Sequence, residues 1–186
     1  MEACLQLARD LRNEADLLLA RTGLLERLSR HGKVEVTGSY AYDLLTRRDI
    51  DICLAMESLH VHPVFEVGRV LAEIPGIGQL SYRNELVLQT EGNPVGVFWG
   101  LTVDGNWPVE VLLAEPAEVR RVVDPLRELL LEIAEEEWLS ILRIKSALTT
   151  HPGYRTEFKS TDIYEAVVRH QVKDQDSWWD WWSARS

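Results

Sequence analysis

Six positions between residues 38 and 51 suit phosphate chemistry: Gly38-Ser39, Arg47-Arg48 and the acid pair Asp49 and Asp51 in "RRDIDICLAM". Side chains alternate along a strand, so Asp49 and Asp51 point to one face, where two ionised carboxylates repel unless something positive lies between them. Hard divalent cations such as Mg²⁺ take carboxylate oxygens, with water and phosphate completing the shell, so the pair can form a metal–phosphate platform. A solvated strand end is the plainer alternative. Gly-Ser directly after a strand lets backbone approach a phosphate closely while the hydroxyl and nearby amides donate to it; the same dipeptide is also an ordinary turn. A third acid, Glu110, interrupts the apolar run "WPVEVLLA". A carboxylate inside a strand is costly unless it is paired, metal-bound or turned to solvent on an edge.

The elements that must position these groups read as α+β. Residues 2–31 have helical spacing (Ala8, Leu11, Ala15, Leu18, Leu25) with Gly32 as a stop. "KVEVTG" alternates as a strand, "DIDICLAM" is a second strand, and "HPVFEVGRVLAEIPG" is a helix opened by Pro63 and closed by Pro75-Gly76. Three further strands are expected in "ELVLQT", "VGVFWGLTV" and "WPVEVLLAE", the last two joined through Asp104-Gly105-Asn106, a strong hairpin signal. From Pro116 the pattern is helical: a long helix over about 117–149, a Pro152-Gly153 loop, a helix over about 162–172 and a Trp-rich tail. This predicts an α/β part over 1–115 and a helical region over 116–186.

Gly38-Ser39, a gap of nine residues, Asp49-Ile50-Asp51 and the later Val109-Glu110-Val111 resemble the nucleotidyltransferase superfamily related to DNA polymerase β, over residues 33–115. Ala41 fits the G-S-x-A form of small members such as the lincosamide and aminoglycoside nucleotidyltransferases. Tyr42-Asp43 stands where many have arginine and glycine; Arg47 and Arg48 can supply that charge. The resemblance implies a mixed sheet flanked by helices with a helical C-terminal part. It further implies transfer of a nucleoside monophosphate from an NTP, with ATP expected, to a small-molecule hydroxyl, releasing pyrophosphate. Asp49, Asp51 and Glu110 would be catalytic and hold two Mg²⁺ ions; Gly38, Ser39, Arg47, Arg48 and Lys145 would bind the nucleotide. A protein-modifying enzyme like the minimal nucleotidyltransferase antitoxins, and an inactive nucleotide-binding module, are the alternatives.

Composition narrows the rest. The chain has 186 residues, 46% hydrophobic and 27% charged, which suffices for a real core. No stretch is long and apolar enough to span a bilayer, the charged N-terminus is unlike a secretion signal, and only Cys4 and Cys53 occur; a reduced cytoplasmic setting is expected. A net charge of −10 opposes long nucleic acids, whose affinity rests on phosphate neutralisation, but not a small anionic ligand. Residues 115–137 carry eight acids against three bases, whereas 143–173 carry six bases against three acids. His151, Tyr154, Arg155 and Lys159 fall in that basic stretch as candidate cleft residues. Asp162 with Glu165 reads as helix capping. "DSWWDWWSARS" is expected to pack on the helical region, with a homodimer contact or an acceptor-stacking surface as alternatives.

Overall fold

The computed structural model describes residues 2–185. The chain begins with α1 (Glu2–Thr22) and α2 (Leu24–Ser29), where a single helix was predicted. The break is Gly23, whose φ of 60° is left-handed and ends the first helix. Then follow β1 (Lys33–Thr37), the one-turn α3 (Gly38–Ala41), β2 (Ile50–Ala55) and α4 (Val61–Ala72). Next come β3 (Ile77–Asn84), the short α5 (Glu85–Leu88), β4 (Val97–Val103) and β5 (Trp107–Ala114). The helices α6 (Pro116–Leu130), α7 (Glu135–Leu148), α8 (Ser160–His170) and α9 (Gln175–Ser183) complete the chain.

Two further expectations are corrected. "ELVLQT" is not a strand: its first four residues form α5, capped by the Asn84 side chain accepting from the Leu86 amide. The strand precedes it, over "IGQLSYRN", held by antiparallel pairing to β4 that runs from Ile77–Val103 to Asn84–Val97. Pairing overrides the weak strand propensity of Gly, Gln, Ser and Asn there. The single long helix over 117–149 is two helices, parted by residues 131–134, with Ala134 at the N-cap of α7 and its amide donating to Glu137.

The five strands form one mixed sheet in the order β1-β2-β5-β4-β3. β2 and β5 run parallel and the remaining pairs antiparallel. One face is fully packed: Ile50, Ile52 and Leu54 of β2, Val109, Val111 and Leu113 of β5 and Trp99 of β4 bury against α1, α2 and α4. The other face is divided. At one end α6 lays Val119 and Val123 on Cys53, Phe98, Leu112 and Ala114; at the other the sheet is open.

The helical region has its own core. Ile141, Leu142, Ile144 and Leu148 of α7 pack with Ile163, Tyr164 and Val167 of α8 and with Phe158. Ala8 from α1 and Leu44 after α3 join it, tying the N-terminal part to this core. The tryptophans of α9 close it. Trp178 is fully buried and stacks on Trp182 with ring centroids 5.5 Å apart, so the tail packs within the chain. No helix among the described residues is long and apolar enough to cross a membrane, and Cys53 is buried within the sheet core.

Candidate active site

The parallel register of β2 and β5 sets Asp51 directly beside Glu110, both on the divided face. Asp49 lies two residues earlier, and the three carboxylates line one cavity of about 640 Å³ together with Gly38 and Ser39. On the far side of Asp51, Thr37 is its partner on β1, and the chain then turns into α3. That turn requires glycine: Gly38 has φ 68°, and a Cβ there would lie 2.1 Å from Asp51 Oδ2. The missing side chain lets the Gly-Ser backbone sit against the central carboxylate.

The carboxylates differ electrostatically. Asp49 Oδ2 accepts from Arg47 at 2.9 Å and Arg155 at 2.6 Å. Glu110 faces Arg83 at 3.5 Å, and burial raises its pKa, with Asp49 adding to the rise. Asp51 has no such arginine, and burial, then the charges of Asp49 and Glu110, push its pKa from 3.8 up to about 7. Among the described residues, no three His, Cys, Asp or Glu side chains are drawn close enough to hold an ion as they stand. The donor set nonetheless suits one. Three hard oxygen ligands share a face, and the mutual repulsion at Asp51 is what a divalent cation relieves.

Lys145 is placed beneath the site. It is 2% exposed and directs its three ammonium protons at Ser39 Oγ (2.5 Å), the Leu44 carbonyl (2.7 Å) and the Tyr164 hydroxyl (3.0 Å). Burial lowers its pKa to about 8. Lys145 thus acts on the site through Ser39, whose hydroxyl it orients, and does not line the cavity. Arg47 sits beside Asp49 and over the Tyr154 ring, whereas Arg48 turns outward to Glu14 on α1. Tyr42-Asp43 also lies off the cavity: the Tyr42 carbonyl accepts from the Trp138 indole, and Asp43 pairs with Arg12.

From the basic stretch, Tyr154, Arg155 and Lys159 line the cavity, and His151 does not; its ring lies tilted against Trp179, 5.0 Å between centroids, and it accepts the Gly153 amide. Asp162 accepts the Lys159 amide at 2.7 Å, but from the third position of α8, with Lys159 at the N-cap; the expected pairing with Glu165 is not made, and Glu165 faces Arg169 instead. Arg83 was not foreseen. It reaches the site from β3, bonding the buried Glu85 at 3.1 Å and covering the Phe98 ring at 4.3 Å.

Mixed strand order, a Gly-Ser turn directly after the first strand, and Asp51 and Glu110 side by side on two parallel strands with Asp49 just before the first of them define a nucleotidyltransferase fold, the class the sequence resembled. No family model matches the chain, and no curated protein matches it. Among solved structures, a cytoplasmic RNA terminal U-transferase superposes with TM-score 0.59 at 13% identity, covering 91% of this chain and 50% of that one. The RNA terminal uridylyl transferase Cid1 superposes with TM-score 0.62 at 12% identity, covering 92% and 54%. Cid1 bound to the UTP analogue UMPNPP gives TM-score 0.56 at 12% identity, covering 92% and 52%. At such identities the likeness establishes the fold, and the chain spans about half the length of these structures.

Proposed function

We propose that the protein is a metal-dependent nucleotidyltransferase that moves a nucleoside monophosphate from an NTP to the terminal hydroxyl of an RNA. The observation that carries this is the alignment of Asp49, Asp51 and Glu110 on one cavity with Gly38-Ser39 at its edge. The three carboxylates would hold the metal, for which Mg²⁺ is the natural choice. Bound there, a divalent ion neutralises charge developing on the phosphates and acidifies the attacking hydroxyl.

The chain's own groups do the remainder. Gly38 and the Lys145-oriented Ser39 donate to the triphosphate, with Arg155 and Lys159 within the same cavity to balance its charge. The acceptor oxygen bonds to the α-phosphorus as the bond to the β-bridging oxygen breaks, and pyrophosphate departs with the electron pair. The hydroxyl proton passes to a Glu110 oxygen facing the acceptor or to solvent water.

An RNA acceptor replaces the small molecule expected from sequence, because the solved structures sharing the fold act on RNA. The net charge of −10 favours the small-molecule reading as the second choice. A content of only two cysteines suits a reducing, cytoplasmic setting. Incubating the chain with each labelled NTP, Mg²⁺ and short RNA should yield an extended product with one base preferred. The proposal fails if no NTP is turned over and none raises the melting temperature with Mg²⁺.

A further inference from the structure

Beyond Glu110 the divided face continues as an open floor. Strand registers place Ser81, Gly100, Glu110, Asp51 and Thr37 in one row across β3, β4, β5, β2 and β1. Gln79 with Thr102 and Pro108 makes the next row outward, and all of these except Thr37 line the 640 Å³ cavity. Ser81, Gln79 and Arg83 are exposed. The floor stays low because Gly100 has no side chain: a Cβ there would lie 2.6 Å from Ser81 Oγ.

The row has a polarity. Gly38-Ser39 follows Thr37 at one end, so the triphosphate belongs on that side and the acceptor on the Ser81 side, with the acids between. Two strand spacings, roughly 10 Å, separate Glu110 from Ser81, and β3 is the sheet edge. The floor therefore ends about one nucleotide from the reacting centre. Its side chains are hydroxyl, amide and proline, and Arg83 is the one cation among the cavity-lining residues of β3, β4 and β5. One guanidinium beside the acids matches one phosphate, and nothing on that floor continues a basic track.

We infer that the acceptor's terminal nucleotide lies across Glu110, Gly100 and Ser81 with its phosphate on Arg83, and that recognition of the RNA ends there. This rests on the nucleotidyl-transfer reading above. The enzyme then reads an RNA end one residue deep, which reconciles an RNA acceptor with a strongly acidic protein: a long phosphate track would demand many cations.

The test uses the intact chain with Mg²⁺, its preferred NTP and a di-, penta- or decaribonucleotide acceptor. Acceptor KM should change less than about twofold from dimer to decamer, and log(1/KM) should fall with log[salt] with a slope near −0.7, one single-strand phosphate. Arg83→Gln should raise acceptor KM about tenfold and flatten that slope, with Arg83→Lys retaining much of it. Ser81→Trp, which fills the floor without touching the acids, should raise acceptor KM at least as much while the melting shift given by NTP with Mg²⁺ stays unchanged. Affinity growing through the decamer with a slope steeper than about −2 overturns the inference. So does Ser81→Trp weakening NTP as much as acceptor, or turnover only with a non-nucleotide hydroxyl compound. Loss of the NTP melting shift in the unaltered protein instead removes the underlying reading, and this inference with it.

Discussion

The two ends of the divided sheet face are made by the same three strands and have opposite fates. On β5, Leu112 and Ala114 are covered by α6, while Glu110 and Pro108, two and four residues before Leu112, stand at an open cavity. On β4, Phe98 is covered and Gly100 and Thr102 are floor. The change falls within a single side-chain repeat of each strand, so nothing in backbone geometry separates core from site. The difference is whether a helix lies above. A strand can thus fix catalytic side chains with the rigidity of a packed core, because their neighbours two residues away are in it.

The largest effect that sharpens this contrast is at Asp51. Asp51→Asn should lower turnover by about 10³-fold or more, as expected on losing a metal ligand worth several kcal/mol in the transition state. The same variant should melt higher than the parent at pH 8. The folded-state pKa of Asp51 is raised from 3.8 to about 7. Between those values the folded chain keeps a proton the unfolded chain has released, so stability falls as pH rises through 7. Asparagine removes that cost, and the melting advantage should shrink as pH falls toward 4. A variant that melts lower at every pH would break the comparison.

At the covered end, Leu112→Ala should destabilise by about 3 kcal/mol through lost burial and the cavity left behind, measured by urea unfolding. Gly38→Ala should cost about 1–3 kcal/mol, combining left-handed backbone strain with the clash at Asp51, and should cut turnover more than stability accounts for. Next, the melting shift produced by Mg²⁺ with NTP should grow as pH rises through about 7, because the Asp51 carboxylate must lose its proton to ligate. The smallest effect belongs to the open end. Ser81→Ala should change stability by less than about 0.5 kcal/mol, the value for an exposed surface position. A loss comparable to that of Leu112→Ala would show that the floor is structural.

The acids and the Gly-Ser turn were legible because strand alternation and parallel pairing are simple rules, and an acid in an apolar run stands out. Arg83 was not. Its strand is an exposed edge of Gly, Gln, Ser and Asn, and the site lies two strands away through pairings that no local pattern encodes. The adjacent "ELVLQT" had the better β composition and became a helical turn, since Glu85 is buried there to hold the Thr90 amide and Asn93. Lys145 was legible as a lysine on the cleft side of a helix; that all three of its protons are taken within the chain required Tyr164 and Leu44, which only the fold brings near. The breaks at Gly23 and at 131–134 interrupt helical patterns that run on past them.

Arg155 adopts a φ of 74° to place its guanidinium on Asp49, where Arg47 also bonds. These two guanidiniums compete with any cation for that carboxylate. On the proposed function, ion and nucleotide would reinforce one another: a triphosphate would give Arg155 a new counter-charge as the metal claims Asp49. Binding of either alone should then be weak, because the two arginines shield Asp49 from stray divalent ions until a triphosphate draws them away.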